Sequence, residues 1–256
     1  MKVLRDLKLL ALASAWCLCS CESQLATSGQ SGHRYAEGPA DRPGLGTKWG
    51  EKRQSYVVSS DFQRANPDQP LATGSIYYND EAGIRATVSN VSWQRTWPIL
   101  PSPMQGLVAL GLKDPIGFFY PGLFIGDRWF VVGKEGRRYS IFVENKSDLR
   151  LEVVLSVDGL DAVDGRKASI RKRGYVLRPH ERLKVEGFRQ SNEAVAVFRF
   201  SSVRESYAAE KYHHTGNVGV IGIALFNERG SNVPTAREVQ KRLRANPFPG
   251  SFATPP

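Results

Sequence analysis

Cysteine is scarce in this chain of 256 residues: there are three, at positions 17, 19 and 21, and none beyond. The body of the chain therefore holds no disulfide, no thiol nucleophile and no cysteine metal site, and its stability must come from a packed core. Histidine is limited to His33, His180 and the pair His213 and His214. Neighbouring side chains point apart on a strand and about 100° apart on a helix, so the pair does not easily chelate one metal, and no zinc-ligand spacing accompanies it. Signature motifs of catalysis are missing too. There is no Gly-x-Ser-x-Gly elbow, no Walker loop and no Gly-x-Gly-x-x-Gly fingerprint. Asp158, Asp161 and Asp164 recur every third residue beside Gly159 and Gly165 but match no EF-hand pattern, so they are expected as turn residues. Nothing selects a pair of carboxylates for glycoside hydrolysis. No catalytic residue, no metal and no cofactor is expected.

Long apolar runs are absent as well. The N-terminal run, residues 9–19, follows Lys2, Arg5 and Lys8 and is too short for a spanning helix, which needs about 20 residues; it has the form of a secretory signal. It ends in Leu18-Cys19-Ser20-Cys21, an aliphatic residue, two small residues and a cysteine. That segment resembles the cleavage box of bacterial lipoproteins. The resemblance implies removal of residues 1–20 and acylation of Cys21, which becomes the mature N-terminus. Several acyl chains anchor a protein stably where one does not. Residue 22 is Glu, not the Asp that resembles an inner-membrane retention signal, which leans towards the outer membrane.

The formal charge is +10, and residues 1–20 hold three cations and one anion, so the remainder carries +8. Such a balance favours anionic surfaces such as phospholipid headgroups and lipopolysaccharide. Outside the cytoplasm, nucleic acid is not an expected partner. Residues 21–55 are polar and rich in Gly, Ser and Pro, and are expected as a flexible tether. Residues 56–228 form the expected folded domain, and 229–256 a short helix and a disordered tail.

Within the domain the hydrophobic pattern is that of strands. Tyr139, Ile141 and Val143 alternate on one side of the polar turn 145–148, and Leu149, Leu151, Val153, Leu155 and Val157 on the other; this predicts an antiparallel hairpin. Strands are also expected at 76–78, 84–88, 129–132, 174–177, 183–187 and 194–200. Residues 218–226 are apolar on both faces, as a central strand must be. Ser202-Val-Arg-Glu205 and Thr235-Ala-Arg-Glu238 have the capping-box form and predict two short helices, the first reaching Lys211. The fold expected is mainly β: an antiparallel β-sandwich with two short helices and disordered termini.

Residues 139–226 resemble a family of uncharacterised proteobacterial proteins. The likeness rests on Ser156-Val-Asp-Gly159, Arg173-Gly-Tyr-Val-Leu177, Phe198-Arg-Phe-Ser201, Ser206-Tyr-Ala208 and Asn217-Val-Gly-Val-Ile-Gly222, and it extends to Gly44-Leu-Gly-Thr47 and Trp49-Gly-Glu51. It implies a fold unit and no particular reaction.

Two surfaces stand out. Residues 96–126 contain only Lys113 and Asp114 as charges, and are expected as a long loop on the sandwich. With Trp93 they offer Trp97, Phe118, Phe119 and Tyr120 as anchors for an apolar partner. Arg171, Lys172 and Arg173 offer contacts to anionic lipid or lipopolysaccharide. The function expected is a non-enzymatic, lipid-anchored binding or structural module of the cell envelope, whose partner is a protein, glycan or lipopolysaccharide. The alternative is an enzyme acting on envelope polymers such as glycans.

Overall fold

A computed structural model describes residues 42–88, 92–96, 106–233 and 243–244. In chain order its strands are β1 (Leu45–Gln54), β2 (Ala72–Asn79), β3 (Trp93–Thr96), β4 (Val108–Lys113), β5 (Gly122–Ile125), β6 (Arg128–Val132) and β7 (Arg138–Asn145). They continue with β8 (Leu151–Val157), β9 (Leu160–Asp161), β10 (Tyr175–Leu177), β11 (Arg182–Val185), β12 (Gly187–Ser191), β13 (Ala194–Ser202) and β14 (Val220–Asn227). Helix α1 (Glu81–Val88) follows β2, and α2 (Tyr207–Tyr212) follows β13.

The strands form two sheets packed face to face. In the smaller, β13 lies between β1 and the pair β12 and β7, and β7 carries β11 and β4. The larger runs β10-β8-β14-β2-β6-β5-β3, with β9 on β8; among the described strands only β2 and β6 pair in parallel. Alternate residues of both inner faces meet in one core. Leu110, Leu112, Ile141, Val143, Phe198 and Phe200 of the smaller sheet join Val153, Leu155, Ile221, Ile223 and Leu225 of the larger, all buried. Each such side chain contributes roughly 1.5–3 kcal/mol by leaving water. The fold is thus mainly β and sandwich-like, as the alternation predicts.

Five local expectations change. The first is the tether: Leu45–Gln54, inside the segment 21–55, is strand β1, paired with β13 from Leu45 opposite Ser202 to Gln54 opposite Ala194. Its glycines, which read as linker, permit close packing instead. A Cβ at Gly50 would lie 2.5 Å from the carbonyl oxygen of Val197. The second is the hairpin across 137–157. β7 belongs to the smaller sheet and β8 to the larger, so the turn between them is an arch that crosses the sandwich. Asn145, fully buried, holds the arch: its Nδ2 donates to the carbonyls of Leu149 at 2.7 Å and Arg178 at 2.9 Å, while Oδ1 accepts from the Ser147 N–H and hydroxyl.

The third is the strand at 84–88, which is helix α1. The Asp80 carboxylate accepts from the Gly83 N–H at 2.7 Å and starts the helix, and Ile84 is its buried residue. The fourth is the cap of α2. Ser206, not Ser202, is the N-cap and accepts from the Ala209 N–H, while Ser202 accepts from Glu205 in the preceding turn. The fifth is the segment expected as a long loop, which strands β4 and β5 occupy. The helix expected from Thr235 and the tail beyond it fall outside the described residues but for 243–244, and so do the expected signal segment and Cys21.

Candidate functional site

On the outer face of the larger sheet, β2, β14 and β8 lie side by side. Gly222 stands opposite Ser156 on one flank and Ser75 on the other, and Val220 stands opposite Tyr77. Gly222 keeps this floor low, since a Cβ there would come within 2.6 Å of Ser156 Oγ. Residues 158–168 fold back from β8 as one wall. There the Asp161 carboxylate accepts from the N–H groups of Val163 and Asp164, and Ala168 N–H bonds the carbonyl of Gly159. The end of α2 and the turn after it make the other wall. The Tyr212 hydroxyl donates to the Gly165 carbonyl at 2.9 Å and ties the two together.

Between them opens a cleft of about 680 Å³, lined chiefly by Tyr77, Ser156, Lys167, Tyr212, His214 and Asn217. A smaller depression of about 290 Å³ shares Ser156, Ala168 and Gly222 with it and continues over Thr73, Gly74 and Ser169. The two form a trough across the strands. The cleft is of a size that takes small ligands. Its chemistry is that of donors and aromatic faces: hydroxyls, an amide, an ammonium, an imidazole and the ring of Tyr77, which Phe130 backs at 5.3 Å.

Among the described residues the one carboxyl group on the cleft is that of Asp158, and its oxygens are engaged inside the protein. Its backbone is left-handed at φ 55°. Oδ2 accepts from the Thr47 N–H at 2.8 Å; Oδ1 accepts from the Gly219 N–H at 2.9 Å and from the Tyr78 hydroxyl. Thr47 Oγ1 in turn lies 2.7 Å from the Tyr78 hydroxyl and 2.6 Å from that of Tyr139. Burial pushes the Asp158 carboxyl up to about 6, against the hydrogen bonds donated by Tyr78, Gly219 and Thr47. Burial, and then the Asp158 charge, push the Tyr78 and Tyr139 hydroxyls well above their ordinary value. This network joins the two sheets under the cleft.

The three aspartates do not converge. Asp161 shapes its own turn, and Asp164 receives Lys172 Nζ at 2.8 Å on each oxygen. Among the described residues no three His, Cys, Asp or Glu side chains come together as a metal site. The histidine pair also divides: His213, at φ 51°, closes α2, while His214 faces the cleft.

The aromatic anchors are dispersed. Trp93 on edge strand β3 and Phe118 in the β4–β5 turn are exposed. Phe119 packs edge-on against Phe142 at 5.3 Å, and Tyr120 packs on Phe200 and donates to the Arg138 carbonyl. Trp97 lies outside the described residues. Of the basic trio, Arg171 and Arg173 line a second concavity of about 600 Å³ together with Arg64 and Arg229, which sequence reasoning passed over, while Lys172 turns to Asp164.

The residues that line the trough, Tyr77, Lys167, Tyr212, His214 and Asn217, were not singled out as a site either. A signal was present in the motif segments. Ser156-Val-Asp-Gly159 and Asn217-Val-Gly-Val-Ile-Gly222 run side by side as its floor, Thr47 bonds Asp158 beneath it, and Trp49 packs 4.7 Å from Tyr207 of α2. The geometry is that of a sandwich-like β domain with an open, donor-rich trough. Compared with known proteins, the chain matches no family model, no curated protein and no solved structure.

Proposed function

We propose that this protein is a lipid-anchored binding module of the bacterial cell envelope, and that its trough takes a glycan-bearing envelope component without altering it. The lipoprotein-like segment ending in Cys21 supports the anchor and an outer-membrane address. The observation that carries the binding role is the lining of the cleft. Hydroxyl, amide and ammonium groups beside tyrosine rings suit a sugar, whose edges carry hydroxyls and whose faces carry C–H groups. Glycan hydrolysis needs two carboxyl groups facing the bond to be cut. Among the described residues the cleft has Asp158 alone, with both oxygens turned into the protein.

Two experiments test this. Gly222→Val should fill the trough and abolish binding of soluble peptidoglycan fragments or lipopolysaccharide oligosaccharides measured by calorimetry. Undiminished binding would remove the trough from the account, and time-dependent cleavage of either probe would replace the binding role with an enzymatic one. Cys21→Ala should end incorporation of a fatty-acid analogue and move the protein to the soluble fraction; continued labelling would refute the anchor.

A further inference from the structure

The second concavity lies where residues 62–68, Arg171, Arg173 and Arg229 face one another, and it shares no lining residue with the trough. We infer that it is a phosphate-binding site, in which Arg171, Arg173 and Arg229 grip the phosphoryl oxygens over a base that Arg64 holds in place.

The base is built. Arg64 is buried, with its guanidinium 3.7 Å over the Phe226 ring. Its Nε donates to Glu152 at 2.7 Å, and its other nitrogens donate to the carbonyls of Ile170, Pro67 and Lys172. These bonds fasten the loop before β2 and the loop before β10 to the sheet, so the walls of the groove are fixed. Glu152 lies beneath, fully buried; it also takes the Gly174 N–H at 2.8 Å and has Arg173 Nε at 3.4 Å. Arg64 is therefore a positioning residue, and three arginines remain for a ligand.

Those three are open to solvent. Arg173 donates to the Phe62 carbonyl at 2.9 Å and pairs with Glu152 at 3.4 Å, yet its side chain is 63% exposed. Arg171 pairs with Asp68 at 3.0 Å with both side chains in water, a weak contact that an incoming anion replaces easily. Arg229 is anchored through its backbone N–H to the Gln63 carbonyl, and among the described residues its guanidinium has no carboxylate partner. Four guanidinia thus face two carboxylates, Asp68 and Glu152, leaving two positive charges in excess. A phosphomonoester brings nearly two negative charges, and the planar fork of arginine pairs its nitrogens with two phosphoryl oxygens at once. A lone carboxylate would leave one charge unmatched.

The test is titration calorimetry of the full chain with inorganic pyrophosphate. Binding should weaken about tenfold or more in Arg229→Gln and in Arg173→Gln, as expected for loss of a charge-assisted hydrogen bond. Arg173→Lys should recover part of it, and Arg204→Gln, which removes an exposed cation outside the groove, should change nothing. Among the described residues Arg229 has no side-chain partner to lose, so that variant should fold normally and keeps the result interpretable. The source of the phosphate is read in a Cys21→Ala background with phosphatidylcholine vesicles containing phosphatidic acid. Retention that Arg229→Gln abolishes supports the site and assigns it a lipid headgroup; pyrophosphate binding without retention supports it and assigns a soluble or glycan-borne phosphate. Absence of pyrophosphate binding, or equal weakening by Arg229→Gln and Arg204→Gln, overturns it. Gly222→Val leaves the groove intact, so failure here and failure of the trough are separate results.

Discussion

Asp158 sits where an ionised carboxyl is costly to keep, fully buried between two sheets, yet three donors converge on it. Asp158→Ala would leave the N–H groups of Thr47 and Gly219 and the Tyr78 hydroxyl without their acceptor. At roughly 1–3 kcal/mol for each buried group left unsatisfied, the variant should lose at least ~3 kcal/mol, measured by urea denaturation. The same residue gives a pH dependence. Its folded carboxyl, raised from 3.8 to about 6, binds a proton more tightly than the unfolded one. Stability should therefore fall as pH rises between those values and level off above about 6, by on the order of 3 kcal/mol from this group. Asp161, also raised by burial, adds in the same direction, while Glu144, held low by Lys146 and Arg182, acts oppositely at lower pH. Comparing denaturant midpoints across this range isolates the contribution: Asp158→Asn should flatten the slope. A second test at this scale is Arg64→Met. It strips the buried Glu152 of its closest cation and should cost about 3–5 kcal/mol.

At the scale of elements, the arch at Asn145 decides the architecture. Asn145→Ala removes two bonds to carbonyls and the acceptor for Ser147, all at a buried site, and should destabilise by ~2–4 kcal/mol with loosened amide protection at the ends of β7 and β8. The strands themselves were legible, because Ile141, Val143, Val153 and Leu155 alternate whichever sheet they join. What alternation does not carry is the identity of the partner. A two-sheet arch and a one-sheet hairpin have the same period; what tells them apart is that β7 pairs with β13, β11 and β4 while β8 pairs with β14 and β10. Helix α1 was misread for a related reason: over five residues Ile84, Ala86 and Val88 also fit a period of two, and the deciding contact is the Asp80 cap. β1 was hidden by its composition, since Gly46, Gly50 and four charged residues look like linker until Val197 and Ser206 are seen against the glycines. The trough was least legible because its floor is defined by a missing side chain, and its walls come from segments far apart in the chain.

At the scale of the whole molecule, the charge excess and the proposed anchor would act together. With +8 on residues 21–256, association of the unacylated chain with anionic vesicles should be strong at low ionic strength and fall steeply by about 0.5 M salt, as screening shortens to a few ångströms. Sedimentation with vesicles at several salt concentrations measures this, and a flat profile would deny the charge any part.

The order of strands in the larger sheet carries one more consequence, for the time course of folding. β2 pairs with β14 and β6, and β8 also needs β14, so this sheet has no complete centre until nearly the last strand of the domain has been made. Sheets closed by such distant pairings form slowly, because long loops must be closed before contacts reward them. The chain should stay unfolded while it is being synthesised and gain its structure only once residues 220–227 are free. A chain ending before β14 should never reach it. On the envelope address proposed above, the chain would cross a membrane in extended form, and that delay would keep it from folding before it arrives.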